Sequence, residues 1–205
     1  MPFLFDADFL ETPSDIMGGF DRVAYIALAE WIVAWPELPL SKLSPSSTME
    51  LVTLAGDFVM APQTAFLKVS GRAGLTAESQ GERDGASVHS SGQLFRAGAH
   101  PENIALQNVL NGAHGVFILT DGDDCIVVGD EIHPCWFTVN VDYGANPEDK
   151  KGITINFESD SFIAGYKYNG EIPTFDNIMP IFHDGYLHPN DYLFTDSLLL
   201  DPQTL

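Results

Sequence analysis

Positive charge is scarce in this chain. Nine Lys and Arg face 29 Asp and Glu, for a formal charge of −20 over 205 residues, and no Lys or Arg follows Lys167. A binder of nucleic acid neutralises phosphates with clustered basic side chains, and docking on anionic membrane surfaces needs the same clusters. Both classes are excluded as expectations. Cysteine is scarce too: Cys125 and Cys135 are the two present, too few for a disulfide framework or a zinc ribbon. Long apolar runs are missing. Val23 to Trp35 is interrupted by Glu30 and closed by Pro36, well short of the roughly 18 apolar residues of a membrane span. The N-terminus lacks a basic region before its first acids, Asp6 and Asp8, and does not read as a signal peptide. The expectation is a soluble, reduced protein made in the cytoplasm.

Catalytic signatures are missing as well. None of the six histidines lies in a His-Glu-x-x-His helix, and the chain has neither a Gly-x-Ser-x-Gly elbow nor a phosphate loop with Gly-Lys-Ser/Thr. Gly71, Gly74, Gly81 and Gly85 lack the strand–turn–helix setting of a dinucleotide site. Cys125, His133 and Cys135 do not have the spacing of a zinc knuckle. Asp121-Gly122-Asp123-Asp124 lacks the alternate donors and closing Glu of a calcium loop. Cys125 sits in a strand-like run, which favours an inert thiol over a nucleophile. The expectation is no enzyme, no catalytic residue, no metal and no cofactor.

What is present is 45% hydrophobic residues with 19% charged, a folding composition. Charge is uneven: residues 97–205 hold 17 acids and three bases, against 12 and six before them. Ile16 to Trp35 is the first helix candidate, capped by Asp21 and ended by Pro36, with Trp31 and Trp35 four apart on one face. It reads as a core helix or one docking on a neighbouring subunit. Met49–Leu54, Phe58–Met60 and Phe66–Ser70 read as strands. Thr76 to Ser87 is polar and Gly-bearing, a loop or wide hairpin tip, and Val88 to Arg96 returns as a strand whose small residues allow close approach.

The sharpest local signals lie further on. Pro101 to Gly112 is a short helix, with Pro in its first turn, Gly at its end, and Ile104, Leu106, Val109 and Leu110 as the buried stripe. Gly115–Thr120 and Cys125–Gly129 are strands joined by an Asp-Gly turn. Cys135–Asp142 and Gly152–Ser159 alternate in polarity around a polar loop, the mark of an antiparallel sheet with one exposed face. The C-terminal stretch scatters Phe175, Phe182, Tyr186, Tyr192 and Phe194 among four prolines without period. It reads as an extended arm lying across its own domain or a neighbour. The division is an N-terminal arm with a helix at 1–48, a β-rich domain at 49–167 and a C-terminal arm at 168–205.

Gly115 to Phe162 resembles a module in small structural proteins of tailed phages that infect Bacteroidetes-type bacteria. The residues that carry the likeness are Val116-Phe117-Ile118-Leu119, Asp121-Gly122, Cys125 to Gly129, Phe137 to Val141, and the phrase from Asp149 to Ser159, in which Ile153 replaces the usual aromatic. With the helix before them, their order is similar to the tail-tube fold of tubes, terminators and head–tail connectors. The resemblance implies a mainly β fold with some α: a tail-tube-like antiparallel β-sandwich or barrel, with a short packed helix and extended arms at both ends. It also implies a virion protein of tail or neck that forms a hexameric or dodecameric ring of itself. Its partners are neighbouring tail, neck or portal proteins. DNA passes without specific binding, and no membrane is involved. Trp31, Trp35, Phe175, Phe182, Tyr186, Tyr192 and Phe194 are the expected subunit-interface residues. Arg72, Glu78, Gln80, Glu82, Arg83 and Asp84 form the expected inter-ring loop. Capsid decoration or fibre anchoring is the alternative role, followed by a soluble binding module.

Overall fold

A computed structural model describes residues 20, 23–39, 49–81, 87–98, 100–122, 124–144 and 151–175. The fold is mainly β and antiparallel, with one short helix. In chain order the strands are β1 Val23–Leu28, β2 Ile32–Ala34, β3 Val59–Met60, β4 Leu67–Ser70, β5 Arg72–Gln80, β6 Ser87–Ala97, β7 His114–Asp121, β8 Asp124–Val128, β9 Cys135–Asp142, β10 Gly152–Ser161 and β11 Tyr166–Tyr168. Helix α1, Pro101–Leu110, lies between β6 and β7. The main sheet runs β11-β8-β7-β9-β10-β6-β5, and β1 joins β7 to β4 on the other side of β7.

The sheet divides into two wings at β7. Along one edge β7 pairs first with β9, through His114↔Trp136 and Gly115↔Cys135, and then with β8 from Phe117 to Asp121. One wing is β4-β1-β7-β8-β11; the other is β9-β10-β6-β5. Their inner faces share one core. Phe117 on β7 stacks on Phe157 of β10 with ring centroids 4.0 Å apart, although the two strands are not paired. Ala24, Ile26, Leu28, Leu119, Val139, Ile153 and Ile155 fill the rest of this layer. Burying rings of this size contributes roughly 1.5–3 kcal/mol each. Gly92 of β6 makes the approach possible, because a Cβ there would collide with the Phe157 ring and the Gly74 carbonyl.

The first wing has a second core on its outer face. Ala27, Val116, Ile118, Val127, Tyr166 and Tyr168 pack there against Leu54, Phe58 and Phe66 from the segment before β4. Phe58 meets Phe66 and Tyr168 edge-on, both at 5.2 Å. β1 and β7 are thus buried on both sides, and β7 shows five consecutive buried residues.

That burial corrects several sequence expectations. Ile16–Trp35 is not a helix over its described part. Val23–Leu28 is a strand, and a tight 3-10 turn at Ala29–Trp31 leads into β2. All-round apolarity marked a strand covered on both faces, which periodicity does not separate from a buried helix. Residues 23–28 are therefore central to the sheet and no arm. Met49–Leu51 is a 3-10 turn, closed by the Thr53 hydroxyl donating to the Met49 carbonyl at 2.7 Å. Strand β5 runs to Gln80, so 76–80 extend the hairpin and do not loop. The Asp-Gly hairpin, β9 and β10 stand where expected, with Gly122 at φ 61° in the turn. Helix α1 buries Asn103 and Leu110, while Ile104 and Val109 are exposed. It is tied to β9 by Gly112 N–H to the Phe137 carbonyl at 2.9 Å and by Val139 N–H to Asn111 Oδ1 at 3.1 Å. At the other end, the body continues past residue 167. Tyr168 is core, and the Phe66 N–H donates to the Pro173 carbonyl at 2.8 Å.

Candidate interaction face

Strict alternation in β9 sends Cys135, Phe137 and Val139 inward and Trp136, Thr138 and Asn140 outward. Register carries that division across the second wing. Trp136, Glu158, Ser91 and Thr76 stand in one row. Thr138, Asn156, Gln93 and Gly74 form the next, and Asn140, Thr154, Phe95 and Arg72 the third. Past the first row, His89 lies between Asp160 and Glu78, with Nδ1 2.7 Å from Asp160 Oδ1. The outer surface is therefore mostly polar, interrupted by the rings of Trp136 and Phe95. Glu78, Asp142, Glu158 and Asp160 stand on it against Arg72, while Arg96 at its margin is held by Glu102 at 2.7 Å.

The face is not flat. A groove of about 470 Å³ runs over Gly74 and Gly92 between Thr76 and Trp136. Its floor is low at Gly74, an outward position where no side chain stands and a Cβ would meet open space. A wider hollow of about 1150 Å³, lined by Arg72, Phe95, Arg96, His100 and Asp142, continues toward the far margin. The Trp136 ring is 55% exposed and leans on His114 with centroids 5.3 Å apart. Chemically the face offers hydrogen-bond donors and acceptors, negative charge and two aromatic rings, Trp136 and the half-buried Phe95.

Near the turn from β8 to β9, polar groups hold the wings at their angle. Buried Asp130 accepts the backbone N–H groups of Ile132 and His133 through Oδ1, and the Tyr166 hydroxyl at 3.0 Å through Oδ2. Burial first, and then the Asp130 charge, pushes the Tyr166 phenol well above its ordinary range. Apolar surface shows beside this corner: Ile132 is 67% and Phe162 61% exposed, and Phe162 meets the His133 ring edge-on. Burial likewise raises both thiols, with Asp124 adding to the effect at Cys125. Each is a protonated thiol at neutral pH. Among the described residues no three of His, Cys, Asp and Glu gather as metal ligands, and no helix is long and apolar enough to cross a membrane.

The margins of the sheet differ from one another. Beyond β11, Lys167 is bonded on its outer side: its N–H donates to the Val52 carbonyl and its carbonyl accepts from Leu54 N–H, at 2.8 and 2.9 Å. Beside the start of β4, Phe66 bridges in parallel to Thr174. β5 ends the sheet with nine residues and, among the described residues, no strand beyond it.

The residues expected to make subunit contacts are spread over these surroundings. Trp31 and Trp35 do not share a face. Half-buried Trp31 packs on the inner core, and Trp35 packs on the outer one, 6.0 Å edge-on from Phe58. Phe175 is partly exposed just past the Thr174 bridge. Phe182, Tyr186, Tyr192 and Phe194 lie outside the described residues, as do Glu82, Arg83 and Asp84. Arg72, Glu78 and Gln80 fall on the open strand β5, exposed and not in a loop. The sequence reading missed Trp136, Asn156 and Glu158. The alternation of β9 and β10 was a usable signal for them, since it puts a tryptophan on a polar face. No protein-family model, curated protein or solved structure matches this chain.

Proposed function

We propose that the chain is a structural subunit of a tailed-phage virion, assembling with copies of itself into a ring or tube around the DNA channel of the tail or neck. The observation that carries this reading is the outward face of the second wing. It is broad, polar and acid-biased, with Glu78, Asp142, Glu158 and Asp160 against Arg72. Like charge lets a polyanion slide past without the counterion release that makes nucleic acid stick. The exposed apolar residues at the wing corner, Ile132 and Phe162, supply contact area of the kind that neighbouring copies cover. In this reading the two facing wings are the tail-tube-like element, and a closed barrel is completed between copies, not within one. The C-terminal arm then reaches the adjoining subunit or a neighbouring tail, neck or portal protein.

The test has two parts. Light scattering of the purified full-length chain should give a closed oligomer, and negative-stain images should show a ring with a central hole. Duplex DNA should not be retained by that assembly, whereas the E158K/D160K double variant should retain it at low salt. A monomer at high concentration would end the proposal, and so would a ring whose duplex binding ignores both charge reversals.

A further inference from the structure

Strand edges left bare are templates for pairing with another chain, and folded proteins blunt them with Pro, Lys, bulges or covering segments. The other two margins of this sheet are blunted in these ways, β11 and the start of β4 by covering segments and β4 itself by its four-residue length and Lys68. Lys167 of β11 is bonded to Val52 and Leu54, and Phe66, just before β4, is bridged by Thr174. β5 is different. It has nine residues, Arg-Ala-Gly-Leu-Thr-Ala-Glu-Ser-Gln, with neither Pro nor Lys, and it pairs in unbroken register with β6 along its whole length. Its outer edge has no partner strand among the described residues.

We infer that β5 pairs with β5 of a second copy, antiparallel and two-fold symmetric, centred on Leu75. The strand's own pattern selects the partner and the register. With Leu75 opposite its own copy, Arg72 falls opposite Glu78 and Ala73 opposite Ala77, and each pair occurs twice by symmetry. Arg72 and Glu78 lie on the polar face, both exposed; Ala73 and Leu75 lie on the inner side against the core. Two cross-strand ion pairs thus form on one face and small apolar contacts on the other, the pairings that stabilise antiparallel neighbours. Shifting the centre to Thr76 places Glu78 opposite Gly74 and loses both ion pairs. The two polar faces would merge into one eight-stranded surface. A two-fold contact does not close a ring of more than two copies, so within a ring assembly this contact stacks two rings face to face. The inference stands apart from the ring reading.

Charge reversal tests it on the full-length chain. R72E and E78R should each weaken self-association about tenfold or more by sedimentation or light scattering, while R72E/E78R together should restore it. Circular dichroism checks that these exposed variants keep the sheet. Cross-linking fixes the register independently. In a C125S background, L75C should oxidise to a linked dimer, because opposed Cα atoms lie about 5 Å apart. T76C should not, because its copies sit about 8 Å apart in this register, beyond disulfide reach. The inference is overturned by a monomeric wild-type chain, by single reversals that associate like wild type, by a double reversal without recovery, or by T76C linking in preference to L75C. A two-fold pair without a ring leaves this inference standing and removes the ring; a ring indifferent to R72E does the reverse.

Discussion

The two wings are both antiparallel yet live in different surroundings. The wing around β7 is covered on both faces and carries two layers of apolar side chains, one directed at each core. The wing from β9 to β5 is covered on one face and turns Thr, Asn, Gln, Ser and acidic residues outward. A strand with one wet face must alternate, and a strand with none need not. The first wing is therefore packed on two sides, while the second keeps one side for solvent or for a partner.

The strongest way to break this contrast is to place the same charge in both wings. Ala27 is fully buried on β1, so A27D should cost more than about 4 kcal/mol and abolish cooperative folding. T138D on the open face should change stability by no more than about 0.5 kcal/mol. Urea denaturation of the two variants side by side checks the pair. If A27D folds normally, the two-sided burial of β1 is wrong.

Next in size is the contact between the wings. F117A removes the ring that stacks on Phe157 and should cost roughly 3–5 kcal/mol in the same assay. A loss below about 1 kcal/mol would mean that the wings do not depend on each other through this layer. The corner comes third. Y166F takes away the hydroxyl that Asp130 Oδ2 accepts and should cost about 1–3 kcal/mol, since the buried carboxylate oxygen is left without a donor.

The smallest and most gradual effect is alkaline. Burial, then the charge of Asp57, pushes the Tyr168 phenol up to about 12 against a partly offsetting backbone hydrogen bond, and Tyr166 moves the same way. In the unfolded chain both ionise near pH 10. The folded state thus holds these protons more tightly, and their contribution is fully present below about pH 10 and is lost as pH rises toward about 12. Melting temperature should fall across that window, and Y168F should flatten the slope. An unchanged slope would mean that Tyr168 ionises freely and is not part of the outer core.

The sequence and the structure agree best in β9, in β10 and in the hairpin of β7 and β8. β9 and β10 were legible because their polarity alternates residue by residue, and the Asp-Gly hairpin because left-handed turn chemistry is local. In the first wing β1 was misread as helix: Val-Ala-Tyr-Ile-Ala-Leu has no polar side to mark its period. Helix α1 was found by its Pro and Gly, and Leu106 and Leu110 of its expected stripe do face the core, but Asn103 turns inward beside them to donate to the Gly98 carbonyl at 2.6 Å while Ile104 and Val109 face out. Thr76–Gln80, part of a stretch that reads as a loop or wide hairpin tip because it is polar and Gly-bearing, is strand only through its pairing with β6.

By itself, then, the order of residues determined the class of the protein, its short helix, its tight hairpin and the inward and outward sides of β9 and β10. These depend on turn chemistry and on alternation, both read within a few neighbouring residues. Only the tertiary structure decided that β1 enters the middle of the sheet, that Trp31 and Trp35 serve different cores, and that β5 is the margin without a strand beyond it among the described residues. Those outcomes depend on which distant segment covers a surface, and a local apolar run says that it is covered but not by what.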